Sequence, residues 1–143
     1  MSEMGPFKLQ ATDGLRWFHD NISCHAACPV GTEAFKYVSA LAEGDHELAY
    51  DIARKPNPFA YVCGRLCGHP CEQACRRRQI DEPISIRALK RTATDCHDPR
   101  LGHAPGLGRL GRRDEAVAVI GAGPAGLTCA HDLARLGYRV TVF

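Results

Sequence analysis

Neither sign of charge prevails in this chain: 18 Lys and Arg stand against 16 Asp and Glu, a formal net charge of +2. That near balance excludes a surface built as a whole to grip nucleic acid. No stretch approaches the roughly 18 apolar residues that a membrane-crossing helix requires. The opening MSEMGPFKLQATDGLRW has no basic start followed by an apolar run, so no secretory signal is read and the cytoplasm is the expected compartment. Disorder is excluded as well, because 45% hydrophobic content over 143 residues provides for one modest core, or one small domain and part of another. Basic residues cluster twice, at Arg76, Arg77 and Arg78 and at Arg109, Arg112 and Arg113. These read as a solvated face and a solvated linker.

What is present in excess is cysteine, eight in all. In a reducing compartment these are metal ligands or redox groups before they are a disulfide framework. Six fall in two short segments, CHAACP at 24–29 and CGRLCGHPCEQAC at 63–75, the second carrying a thiol at every fourth position. On one continuous helix such thiols would drift by about 40° per step and form a straight stripe, which cannot surround a metal centre. Gly64, Gly68 and Pro70 argue against a straight helix here, so the segment is expected to wrap through short turns with its sulfurs converging.

Between and after these segments the pattern is helical. Thr32 is a candidate cap for a helix with Phe35, Val38, Leu41 and Ala42 on one side, closed by Gly44. Asp45 caps a second helix with Leu48, Ala49, Ile52 and Ala53 inward, stopped by Pro56 and Pro58. A third starts near Ser85 and shares Ile86, Leu89 and Ala93 on one face. Cys96 ends it, and both Cys96 and Cys129 read as ordinary small buried thiols.

Three uses compete for the six clustered thiols. Structural zinc takes four Cys or His ligands, with His25 and His69 nearby. An iron–sulfur cluster binds through thiolates and often takes one ligand from a Cys-Pro away from the main run, a role that Cys28-Pro29 fits. Reactive dithiols are the third use, but six neighbouring cysteines exceed what dithiol chemistry needs.

Residues 97–115, HDPRLGHAPGLGRLGRRDE, read as a linker. Then the character changes. In AVAVIGAGPAGLTCAHDLARLGYRVTVF, residues 116–143, Val117, Val119 and Ile120 form a short strand that runs directly into G-x-G-x-x-G at Gly121, Gly123 and Gly126. Gly121 allows the tight turn, Gly123 a close approach of backbone to a pyrophosphate, and Gly126 helix–strand packing. Pro124 and Ala125 open the helix whose free N–H groups would face the phosphates. Leu127, Ala130, Leu133 and Ala134 form its inner face, Gly137 ends it, and Val140–Phe143 begins a second parallel strand. The acidic residue that binds the ribose lies about 20 residues beyond the glycines in such folds. The chain ends on the second strand, so it reads as the N-terminal piece of a longer protein or a truncated gene product.

The order C-x3-C-P, two helices, NPFAYVCGRLCGHPCEQACRRR, DEPISIRALKR and VAVIGAGPAGLTCAHDLARLGYRVTVF closely resembles the N-terminal region of the glutamate synthase small (beta) subunit. The N-terminal iron–sulfur domain of dihydropyrimidine dehydrogenase and related NAD(P)H-dependent flavin oxidoreductases is similar, and the likeness covers residues 22 to 143. It implies an α-helical [4Fe-4S]-binding domain at 22–96, after an extension at 1–21. The linker at 97–115 then leads into the first β-α-β unit of a truncated Rossmann-like FAD-binding domain at 116–143. Cys24, Cys28, Cys63, Cys67, Cys71 and Cys75 match family cysteines, and Gly121, Gly123 and Gly126 match the FAD pyrophosphate loop. The resemblance implies electron flow from NAD(P)H, bound in a remainder missing here, through FAD and a [4Fe-4S] cluster to a larger partner subunit in a hetero-oligomer. This fragment alone is expected to be inactive. The alternative is a stand-alone iron–sulfur or zinc adaptor module without catalysis.

The departures bear on cluster number. Two-cluster relatives carry C-x2-C-x4-C-x3-C-P in the first segment, and here the two leading positions are Arg16 and His19. Where dihydropyrimidine dehydrogenase has a glutamine ligand on the following helix, this chain has Lys90, which is protonated at neutral pH and a poor ligand. One cluster is therefore expected rather than two. Cys28, Cys67 and Cys71 would be its ligands, the fourth coming from Cys24, Cys63 or Cys75.

Overall fold

The computed structural model describes residues 21–98, 100 and 111–143. The N-terminal extension with Arg16 and His19, and most of the linker with Arg109, lie outside the described residues. The helical part comprises α1 (Ser23–Ala26), α2 (Ala34–Ala42), α3 (His46–Arg54), α4 (Ala60–Leu66), α5 (Pro70–Gln73) and α6 (Ile86–Asp95), with a 3-10 turn at Arg76–Gln79 before α6. After it come β1 (Ala116–Val119), α7 (Pro124–Arg135) and β2 (Arg139–Val142). No helix among the described residues is long and apolar enough to cross a membrane.

Local chemistry makes the α2–α3 hairpin. Gly44 takes a left-handed φ of 82°, which a side chain would resist, and the Asp45 carboxylate accepts from the Leu48 N–H at 2.9 Å, satisfying one of the open donors at the start of α3. The core beneath is made largely of alanine: Ala34, Ala40, Ala49, Ala53, Ala60 and Ala93, with Tyr37 and Ile86. Small side chains let helices approach closely, and α6 uses this to pack on α2, α3, α4 and α5 together. The buried face of α2 is therefore Ala34, Tyr37 and Ala40, not the expected one. Val38 and Leu41 border the core, Phe35 is half-buried and Ala42 is exposed. On α3, Ala49 and Ala53 are wholly buried while Leu48 is 46% exposed.

The cysteine run folds as two helices and a break, and Gly64 is not the breaker. It lies buried in α4, where an added Cβ would stand 3.0 Å from both Cα and N of Arg91 on α6. The chain turns one helical turn later: Cys67 is extended, His69 has a left-handed φ of 45°, and Pro70 opens α5. Arg76 to Arg78 are exposed on the 3-10 turn, and Arg77 pairs with Asp81 at 2.7 Å.

Beyond the linker, β1 and β2 pair in parallel, with Val117 opposite Val140 and Val119 opposite Val142, and α7 packs on both. Gly137 ends α7 with a φ of 95°. Ile120 and Phe143 are 81% and 70% exposed. Cys96 and Cys129 are exposed, against the reading of both as buried thiols. Neither helix turns that position toward its packed face. Arg54 Nη2 lies 3.4 Å from His131 Nε2, a polar contact between α3 and α7.

Candidate metal centre and glycine-rich loop

The break between α4 and α5 folds the cysteine run back on itself. Cys63, Cys67 and Cys71 line one small cavity together with Tyr37, His69, Ile86, Arg87 and Lys90. Several bonds hold this wall. The His69 N–H donates to Cys67 Sγ at 3.4 Å, Arg87 donates through Nη1 to the Cys67 carbonyl at 3.0 Å, and the Glu72 carboxylate accepts from the Arg87 N–H at 2.7 Å. Glu72 thereby ties α5 to the first turn of α6. Its other oxygen lies 3.1 Å from His69 Nδ1, close enough for an ion pair but off hydrogen-bond geometry. The Tyr37 hydroxyl donates to the Ile86 carbonyl at 3.2 Å, so the core tyrosine fixes the start of α6 as well.

The thiols also act on one another electrostatically. Burial pushes the Cys71 thiol up to about 11, and the nearby Cys28, Glu72 and Cys67 add to the rise. Burial raises Cys28 too, but it ends below the ordinary thiol value, because the N–H groups of Thr32 and Val30, the Thr32 hydroxyl and the Lys90 ammonium outweigh that effect. Thr32, read from sequence as a helix cap, is instead buried beside this sulfur, and its hydroxyl has no partner of regular hydrogen-bond geometry. Cys24 is raised by burial and then by Cys75. Cys63, Cys67 and Cys71 share the cavity. The charge of Cys28 is felt at both Cys71 and Cys24, and that of Cys75 at Cys24, consistent with the packing of α1 on α5.

Among the described residues, no three Cys, His, Asp or Glu side chains converge tightly enough for a single metal ion. Cluster ligands stand further apart, because each thiolate binds a different corner of a larger body. The donor set around the cavity suits such a group: soft sulfur from two segments, with N–H donors to a sulfur at its edge. Cys24 and Cys75 alone make half a ligand set. Sequence had marked all six thiols and Lys90. It missed Tyr37, Glu72 and Arg87, which no local spacing relates to the cysteines.

The glycine-rich loop joins β1 to α7. Gly121 has a φ of 102° and donates to the Phe143 carbonyl at 2.8 Å, which extends the strand pairing into the turn. A Cβ on Gly126 would come within 2.0 Å of the Gly121 carbonyl oxygen, so the helix can start this close to the strand only with glycine there. At Gly123 the space is open, with no atom within 4 Å of an added Cβ. No side chain caps α7 there, and Pro124 occupies the first turn. Open space before uncapped N–H groups at a twelve-residue helix suits a phosphate.

Two family models match. That for dihydropyrimidine dehydrogenase domain II with a 4Fe-4S cluster covers residues 17–100, and that for an NAD(P)-binding Rossmann-like domain covers residues 119–143. The chain is 39% identical over 120 residues to the NADPH-Fe(3+) oxidoreductase subunit beta of Geobacter sulfurreducens, which spans 84% of the chain and 18% of the relative. It is 37% identical over 141 residues to the NADP(+)-dependent formate dehydrogenase subunit beta of Moorella thermoacetica, 84% of the chain and 20% of the relative. The match to the NAD-dependent dihydropyrimidine dehydrogenase subunit PreT of Escherichia coli K12 is 35% over 125 residues, 84% of the chain and 29% of the relative. The chain spans about a fifth of the length of the first of these curated relatives.

Proposed function

The chain belongs to the family of dihydropyrimidine dehydrogenase domain II 4Fe-4S proteins, and from that membership we propose that it is the electron-relay end of an NAD(P)H-dependent oxidoreductase subunit. One observation carries the reading: three cysteines from the 63–75 run line one cavity, and the charge of Cys28, from a segment far away in sequence, is felt at Cys71. Cys28, Cys67 and Cys71 are the ligands by family position. The fourth is Cys63, because it lines the cavity with Cys67 and Cys71, and Cys24 and Cys75 do not. One cluster per chain follows. When bound, it supplies one-electron transfer at a potential set by its ligands and surroundings. The chain's own residues do the rest: Arg87 and Glu72 hold the run against α6, and the His69 N–H donates to the Cys67 sulfur.

The second half of the proposal concerns the loop at Gly121, Gly123, Pro124, Ala125 and Gly126. It holds the pyrophosphate of FAD, with NAD(P)H bound by residues beyond this chain. The domain division follows the same line, with a helical cluster domain at 22–96, a linker at 97–115 and the start of the flavin domain at 116–143. The recipient of the electrons is a larger partner subunit in a hetero-oligomer of the glutamate synthase type. The relatives' names pair a nicotinamide nucleotide with ferric iron, formate or dihydropyrimidine, which supports a common relay serving different second substrates.

The test is the iron, sulfide and zinc content of the chain purified without oxygen, with visible absorption before and after dithionite. About four irons and four sulfides per chain, with a colour that bleaches on reduction, is the expected result. Zinc in place of iron, with no sulfide, would overturn it.

A further inference from the structure

Lys90 is the cation least accounted for in the helical part. Its side chain sits on α6, 9% exposed, in the wall that Cys63, Cys67 and Cys71 also line. The ammonium lies 5.8 Å from the centre of the Tyr37 ring, and among the described residues no carboxylate pairs with it. Burying a charge without an opposite one is unfavourable. A ring face offsets a small part of that penalty. The remaining candidates for an opposite charge are the sulfurs, which become anionic as thiolate ligands.

We infer that Lys90 is a fixed counter-charge to the cluster, which it stabilises in the reduced form from the cavity wall without ligating iron. This rests on the iron–sulfur reading above. An ammonium carries no lone pair and cannot act as a ligand while protonated. With Cys63 in the same cavity, the fourth position has a thiol available and the lysine is free to remain charged. Reduction adds one electron, and so one negative charge, within a site of low dielectric. A nearby fixed cation favours that charge and raises the midpoint potential. Lys90 acts through this field alone, so it is a positioning residue for charge and takes no part in bond making.

The experiment compares the full chain with its K90R, K90M and K90L variants, each purified without oxygen. Iron and sulfide are assayed, and the midpoint potential is read by dithionite titration with visible and paramagnetic resonance detection. K90M and K90L are expected to keep the iron and sulfide of the parent and to titrate at a more negative potential, with K90R close to the parent. An unchanged potential in K90M and K90L overturns the inference. So does loss of iron from both while circular dichroism remains helical, which would make Lys90 a ligand or a prop. A parent chain without iron and sulfide removes the iron–sulfur reading itself, a distinct result from either.

Discussion

Glu47 fastens the end of the helical segment through one carboxylate. It accepts from the Asp98 N–H at 2.9 Å and lies 2.7 Å from His97 Nδ1, while the His97 ring stacks on Tyr50 at 3.7 Å. The Asp98 N–H first, and the His97 side chain second, hold the Glu47 carboxyl below its usual value of 4.5. A carboxyl held low in the folded state adds stability above its unfolded value and loses it as pH falls through the folded one. The stability gap between the parent and E47Q should therefore be full near neutrality and close as the pH drops below that ordinary range. Urea unfolding midpoints from about pH 7 to about pH 3 measure it. A gap that stays constant over the range would show that the contact is steric and not ionic.

At the scale of elements, the decisive contact is α4 against α6, because it sets Cys63 and Cys67 opposite Lys90. Gly64 lies in it, with the Arg91 backbone 3.0 Å from where a Cβ would stand. Alanine is the better helix former by about 1 kcal/mol, so propensity alone predicts that G64A stabilises. Backbone cannot yield as a flexible side chain can, and overpacking costs about 1–3 kcal/mol. The steric effect is the larger, and G64A should lower the denaturation midpoint and disturb the thiol cavity; an increase in stability would refute this.

Gly64 also marks where sequence reading stopped. As one of two glycines among the cysteines it looked like a breaker, and only the position of α6 makes it a contact. Signals that act within a few residues were legible: Gly44 and Asp45 at the hairpin, Pro70 interrupting the cysteine run, and Gly121 and Gly126 around the turn. Thr32 and the inner face of α2 were not, because Tyr37 and Ala40 are selected by the approach of α6 from some 50 positions later. Phe35, Val38 and Leu41 offered an equally apolar stripe, and the closer packing of alanine and one bonded tyrosine decided between them.

Over the whole molecule, the packed core and the cysteine cavity adjoin, with Tyr37 and Ile86 forming a wall common to both. The buried cluster of Ala34, Tyr37, Ala40, Ala49, Ala53, Ala60, Ile86 and Ala93 contains no sulfur, while Cys24 and Cys71 only border it. Small metal-organised domains unfold when the metal is removed. Here, chelation of iron under reducing conditions should leave far-ultraviolet circular dichroism helical and thermal unfolding cooperative, at a lower midpoint. Collapse to a coil spectrum would mean that the thiols organise the core after all.

A core that closes without sulfur also sets an order of manufacture. The polypeptide can leave the ribosome, fold and wait as an empty receptacle until the cell's assembly machinery delivers its inorganic cargo. Iron starvation would then fill the cell with dormant, rescuable stock, not with debris for proteases.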